Sequence, residues 1–228
     1  MIGRDHPLGY AVSDRRGDLS GIHPIELPRP EAARFAESVP QASKEHAYLF
    51  FVNGFDPFYY GNFRGQCDYL RSLGFSNASC YHMNQGDACR ERIRQVHRDD
   101  PQARIALIGF SFGANMTRTM ANELAAEEIP VDLLVYLGGD TIQNTPESWP
   151  ANVKKVVNIN GHPPLLLGYD MFFRGPDLDG ASNHRLDVWH FQLPSRSVVT
   201  ETLLTNVTEL VLPAGKAAEV RQNFSAGR

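Results

Sequence analysis

Apolar residues along this chain fall into short runs separated by amphipathic stretches. Ala47 to Val52, Ile105 to Ile108 and Val131 to Leu137 are near-continuous apolar segments, with the length and pattern of strands covered on both faces. Asn77–His82, Val153–Ile159 and Arg185–Trp189 are predicted as further strands. Helical spacing lies between them: Tyr59–Leu73, closed by Gly74; Asp87–Arg98, ended by Asp99-Asp100-Pro101; and Asn115 to about Glu127, with Met116, Met120 and Leu124 on one stripe. Ser197–Leu212 is a closing helix. Strands alternating with helices predict an α/β fold with a mostly parallel central sheet and helices on both faces. Residues 1–45 are polar and punctuated by Pro7, Pro24, Pro28, Pro30 and Pro40, which reads as an extended arm with one short helix at Glu31–Ser38. The segment from 46 to 212 reads as one domain, without repeat or linker, and 213–228 as a tail.

The most informative segment joins the Ile105–Ile108 strand to its helix. Gly109-Phe110-Ser111-Phe112-Gly113 is a Gly-x-Ser-x-Gly pattern between a buried strand and a helix, the setting of a nucleophile elbow. Such a turn is tight enough to crowd the residues two before and two after the serine, and glycine fits there because it lacks a Cβ. The serine is then expected to be exposed at a helix start, where free N–H groups and the helix dipole favour negative charge.

Composition narrows the alternatives. A chain of 228 residues can bury one full α/β core. Its net charge of −4 and the absence of a basic stripe argue against a nucleic-acid partner. The only lysines are Lys44, Lys154, Lys155 and Lys216, too few and too scattered for a polybasic membrane patch. No segment approaches the ~20 apolar residues of a membrane span, and no signal peptide is visible at the N-terminus, so a cytoplasmic location is expected. Cys67, Cys80 and Cys89 are expected as free thiols, a Cys80–Cys89 bridge being the alternative. None has zinc-ligand spacing, and no metal site is expected.

With the elbow set in this strand–helix alternation, residues 46 to 212 resemble the α/β-hydrolase superfamily, in particular small serine esterases and thioesterases without a large cap domain. A second match is Val52-Asn53-Gly54-Phe55-Asp56-Pro57 after the first core strand. The family usually carries His-Gly there, so Asn53 is a departure, while Gly54 still permits close backbone approach. The resemblance implies an oxyanion hole formed by the N–H groups of Phe112 and Phe55, each such donor contributing roughly 3 kcal/mol to a developing oxyanion. It also implies the triad order nucleophile, acid, histidine: Ser111, Asp140 and His190. His190 follows the last strand, whereas His184 stands at that strand's start and His162 follows an earlier one. Asp140 leaves the Val131–Leu137 strand through Gly138-Gly139, and Asp170, Asp177 and Asp179 in the following long loop are alternatives.

Little chain separates Asp140 from the next strand, so the 161–183 loop is the only candidate lid. Its Leu165–Leu167 and Met171–Phe173 can wall an apolar pocket; Leu166, Phe172, Phe58 and Phe110 are the candidate substrate-binding residues. The implied activity is hydrolysis of carboxylic esters or thioesters of small to medium acyl chains through an acyl-enzyme, without cofactor. Alternatives are a lipase or acyltransferase using the same triad, or a non-catalytic binding protein of the same fold. The implied partner is a small-molecule ester or thioester; nothing in the sequence speaks to oligomeric state.

Overall fold

The computed structural model describes residues 24–56, 58–139, 150–162, 175 and 177–212. Six strands form one all-parallel sheet: β1 (Ala47–Asn53), β2 (Ala78–His82), β3 (Arg104–Phe110), β4 (Leu133–Leu137), β5 (Val156–Gly161) and β6 (Ser182–Leu186), in the order β2-β1-β3-β4-β5-β6. The helices are α1 (Pro30–Ser38), α2 (Gln41–Lys44), α3 (Phe63–Ser72), α4 (Gly86–Asp99), α5 (Phe112–Ala126) and α6 (Ser197–Leu210). Short 3₁₀ turns at Met83–Gln85 and His190–Ser195 precede α4 and α6.

Alternation along the strands sorts the core into two halves. Leu49 and Phe51 of β1, Ile108 and Phe110 of β3, and Val135 and Leu137 of β4 face α1, α3 and α6, meeting Ala36, Phe63, Leu70, Val199 and Leu203. Phe50 and Val52 of β1 and Ile105 and Leu107 of β3 face the other way, against Ile93 and Val96 of α4 and Met120 and Leu124 of α5. This two-sided burial is why the strands read as unbroken apolar runs. Ahead of α1, Arg29 pairs with Glu201, and Arg196 and the Ser197 N–H bind Glu26, tying this segment to α6.

The strand order changes direction between β1 and β3. The connection leaving β1 runs through α3 on one face, whereas the connection leaving β3 runs through α5 on the other. The loops therefore part and leave a crevice beyond the carboxyl ends of β1 and β3, the place where open α/β sheets bind ligands. Asn53 pairs with Phe110 in register, so Gly54-Phe55 and Ser111-Phe112 emerge side by side at that crevice.

Several expected elements differ in extent, among them the strand expected at Val153–Ile159, which runs Val156–Gly161, and three others near the site. The helix after β1 begins at Phe63, not Tyr59, because Asp56 accepts the N–H groups of Tyr60 and Gly61 at 2.9 and 3.0 Å, and Tyr59 and Asn62 turn left-handed with φ of 55° and 46°. The last strand is Ser182–Leu186 rather than Arg185–Trp189, so His184 lies in its middle, in register with Ile159. The helix α5 begins at Phe112, earlier than its apolar stripe indicates. All three cysteines are free thiols. Among the described residues no helix is long and apolar enough to cross a membrane.

Candidate active site

Ser111 sits at the junction of β3 and α5 with φ 56° and ψ −129°. A side-chain-bearing residue rarely adopts this conformation, which holds only where the surroundings enforce it. The surroundings here do. The Ser111 N–H donates to the Leu137 carbonyl at 2.9 Å, extending the β3–β4 ladder through the turn, and the Ala114 N–H donates to the Ser111 carbonyl at 2.9 Å to open the helix. A Cβ on Gly109 would stand 2.5 Å from the Gly113 carbonyl oxygen, and one on Gly113 would collide with the Val52 carbonyl oxygen. The two glycines of the motif are thus required by close backbone packing. A Cβ on Gly54 would lie 2.7 Å from the Phe112 nitrogen, so the loop after β1 presses directly on the start of α5.

Ser111 is more enclosed than expected: only 7% of its surface is exposed. The Phe112 N–H lies at the first position of a four-turn helix, where no intrahelical acceptor exists. Phe55, whose N–H is the second expected donor, leaves its side chain exposed beside the crevice.

His190 comes to the same end of the sheet. It opens the 3₁₀ turn after β6 and is 4% exposed. Its ring stacks on Phe110 with centroids 5.0 Å apart and meets Phe191 edge-on at 5.2 Å. Phe110 immediately precedes Ser111, and a Cβ on Gly138 would lie 3.1 Å from both Nδ1 and Cε1 of His190. The imidazole therefore packs between the residue before Ser111 and the end of β4, with its Nδ1 edge toward the strand exit that leads to Asp140. No hydrogen bond joins Ser111 and His190 among the described residues; such bonds are often long before substrate is bound and tighten with it. Burial pushes the His190 imidazole down to about 4 from 6.5, so it is neutral at pH 7.

The remaining expected site residues divide. Asp140, Asp170, Leu166 and Phe172 lie outside the described residues. Asp177 is bound by Arg185 at 2.6 Å on the surface, and Asp179 lies in a surface turn before β6. His184 meets the Ser182 hydroxyl at 3.0 Å within β6, away from the carboxyl ends of the strands. Phe110, expected as pocket wall, is fully buried between Phe63, Phe191 and His190, where it supports the histidine instead. Phe58 is 70% exposed and stacks edge-on against Tyr60. With Phe55, Tyr59, Met83 and Trp189, all in loops that follow strand ends, it forms an exposed apolar rim.

Two features were not foreseen. Asp56, 6% exposed, holds the loop after β1 through the two N–H groups it accepts. A cavity of about 380 Å³ opens between the start of α4 and the first turns of α5, reaching Phe112 but not Ser111 or His190. Among the described residues no group of three or more His, Cys, Asp or Glu side chains is arranged to hold a metal ion. No known family model matches this chain, and no curated protein matches it significantly.

Proposed function

We propose that the protein is a serine hydrolase of the α/β-hydrolase type that cleaves carboxylic esters or thioesters of small to medium acyl chains. The observation that carries this reading is the backbone of Ser111, held at φ 56° and ψ −129° between a parallel strand and a helix. A strained turn locked by close glycine packing is unnecessary for a binding scaffold, and it is what a nucleophilic hydroxyl held at a helix start requires. The strand order and its crevice between β1 and β3 support the same reading.

In this mechanism Ser111 Oγ attacks the acyl carbonyl while His190 takes its proton. The Phe112 and Phe55 N–H groups stabilise the oxyanion. His190 then returns the proton to the leaving alcohol or thiol, and water, activated by the same imidazole, releases the acid. Asp140 is the proposed third member, holding the imidazole tautomer. Its support is sequence proximity to Gly138, which packs against His190 Nδ1. The apolar rim of Phe55, Phe58 and Trp189 favours an apolar substrate over a highly charged one.

Reaction with a fluorophosphonate, followed by peptide mapping, tests the reading. Labelling of Ser111 in the wild type is expected. It should be lost in Ser111→Ala, and Ser111→Ala and His190→Ala should each abolish turnover of nitrophenyl butyrate, because triad members act as a unit. Asp140→Asn should reduce turnover by orders of magnitude, with Asp170→Asn near neutral. An unlabelled Ser111 in folded protein would mean the elbow serves no acyl chemistry.

A further inference from the structure

The sheet divides the three free cysteines. Side chains alternate along β2, so Ala78 and Cys80 face α3 while Tyr81 faces α4. Cys67 of α3 and Cys80 therefore pack into the same half of the core, and Cys89 of α4 lies in the other. The Cys80 S–H donates to the Cys67 sulfur. A Cys80–Cys89 bridge, the alternative that the sequence leaves open, would have to pass through the sheet.

The pair sits in a defined setting. Arg71, one turn after Cys67, spans the gap between α3 and β2. Its Nε donates to the Ala78 carbonyl at 2.8 Å and its Nη1 to Asp68 at 2.9 Å. Its charge acts on both thiols. β2 is an edge strand, and Cys80 is partly exposed on it, whereas Cys67 is buried. A small reagent thus meets Cys80 first, with Cys67 behind it. Contact with Cys67 and burial hold the Cys80 thiol well above its ordinary value; Asp68 adds to this and Arg71 opposes it. The attacking species in disulfide exchange is the thiolate, so the pair reacts slowly at neutral pH and faster as the pH rises.

We propose that Cys67 and Cys80 are a disulfide site that fastens α3 to the edge strand when the protein meets a small-molecule disulfide such as oxidised glutathione. The Cys80 thiolate attacks one sulfur of the reagent, forming a mixed disulfide and releasing one reduced thiol. The Cys67 thiolate then attacks the Cys80 sulfur of that mixed disulfide, closing the protein bridge and releasing the second thiol. The two protein thiols lose two electrons and two protons, and the reagent gains both. The inference does not depend on the hydrolase reading. It bears on the same region of the fold, because Gln66, next to Cys67, donates through Nε2 to the Pro194 carbonyl at 2.6 Å and the Thr200 hydroxyl at 2.8 Å. These bonds brace the turn that His190 opens.

The test incubates the full chain with oxidised glutathione at pH 7 and pH 9, alkylates it in denaturant and digests it with trypsin without reduction. Cleavage after Arg71 separates Cys67 from Cys80 and leaves Cys80 with Cys89. The expected product is the peptide 65–71 linked to the peptide 72–90, with Cys89 alkylated, forming faster at pH 9. Closing this loop restricts the unfolded chain, so the bridged protein should melt about 5 °C or more above the protein reduced with dithiothreitol. Cys89→Ala should keep both results, and Cys80→Ser should lose both.

A Cys80–Cys89 bridge, a glutathione adduct at Cys80 that does not resolve, or three free thiols after prolonged exposure at pH 9 overturns the disulfide site. A bridged protein that melts no higher than the reduced one overturns the fastening of α3 to β2. The peptide map is read in wild type, so it stands even where a cysteine variant fails to fold. Neither measurement uses a substrate, and an unlabelled Ser111 leaves both unchanged.

Discussion

Ser111 combines two demands that work against each other. The proposed chemistry needs its side chain at a backbone conformation that glycine occupies freely and serine does not. Ser111→Gly should therefore stabilise the fold by about 1 kcal/mol while abolishing ester hydrolysis. Thermal melting and nitrophenyl butyrate turnover check the pair; a destabilised glycine variant would mean that the turn carries no strain. His190 shows the complementary case of a side chain whose state is set by burial. In the proposed mechanism its neutral form accepts the serine proton, so the acid limb of kcat/KM should fall near pH 4 instead of near 6.5. A profile collapsing between pH 7 and 6 would place a different group in that role.

At the scale of elements, the loop after β1 is organised by one carboxylate. Asp56 fixes Tyr60 and Gly61, and the loop it shapes carries Phe55 at its start. Asp56→Ala should cost about 2 kcal/mol by leaving two N–H groups unmade, and should lower kcat at least tenfold by loosening the Phe55 N–H. Melting and initial rates on the same preparation test both halves. This carboxylate also marks a boundary of what sequence conveys. β1, β3 and β4 were legible because burial on both faces leaves unbroken apolar runs, and the tight turn at Ser111 was legible because close backbone packing demands glycine at Gly109 and Gly113. The position of His190 at the Ser111 end of the sheet, though not any role there, was legible from its place near the last strand. β6 was misplaced because its polar, mostly exposed residues, Ser182-Asn183-His184-Arg185, lack the apolar signature. The role of Asp56 depends on left-handed Tyr59 and Asn62, which a helical spacing does not reveal. The methionine-lined cavity joins Met83 to Met116 and Met120 across separate elements, so only the packed fold assembles it.

For the molecule as a whole, the buried histidine couples the site to global stability. Unfolding exposes His190 and returns it to its ordinary value, so between pH 6.5 and 4 the unfolded chain binds more protons than the folded one. Stability is fully present above pH 6.5 and falls as the pH drops through this window, by about 3 kcal/mol from this group. Denaturant titrations of wild type and His190→Phe across pH 4 to 7 should show that slope in the first and a shallower one in the second. The ladder that crosses the turn has a kinetic counterpart. Because the Ser111 amide is bonded to Leu137 inside the sheet, its hydrogen is released to solvent only when β3 and β4 separate. Hydrogen–deuterium exchange should rank that amide with the slowest in the protein, while the Tyr60 amide, held by a single side chain, exchanges early. A reactive centre is ordinarily sought among the fast-exchanging parts of a protein; the one proposed here is expected among the slowest, its turn bonded into the sheet and persisting for as long as the sheet does.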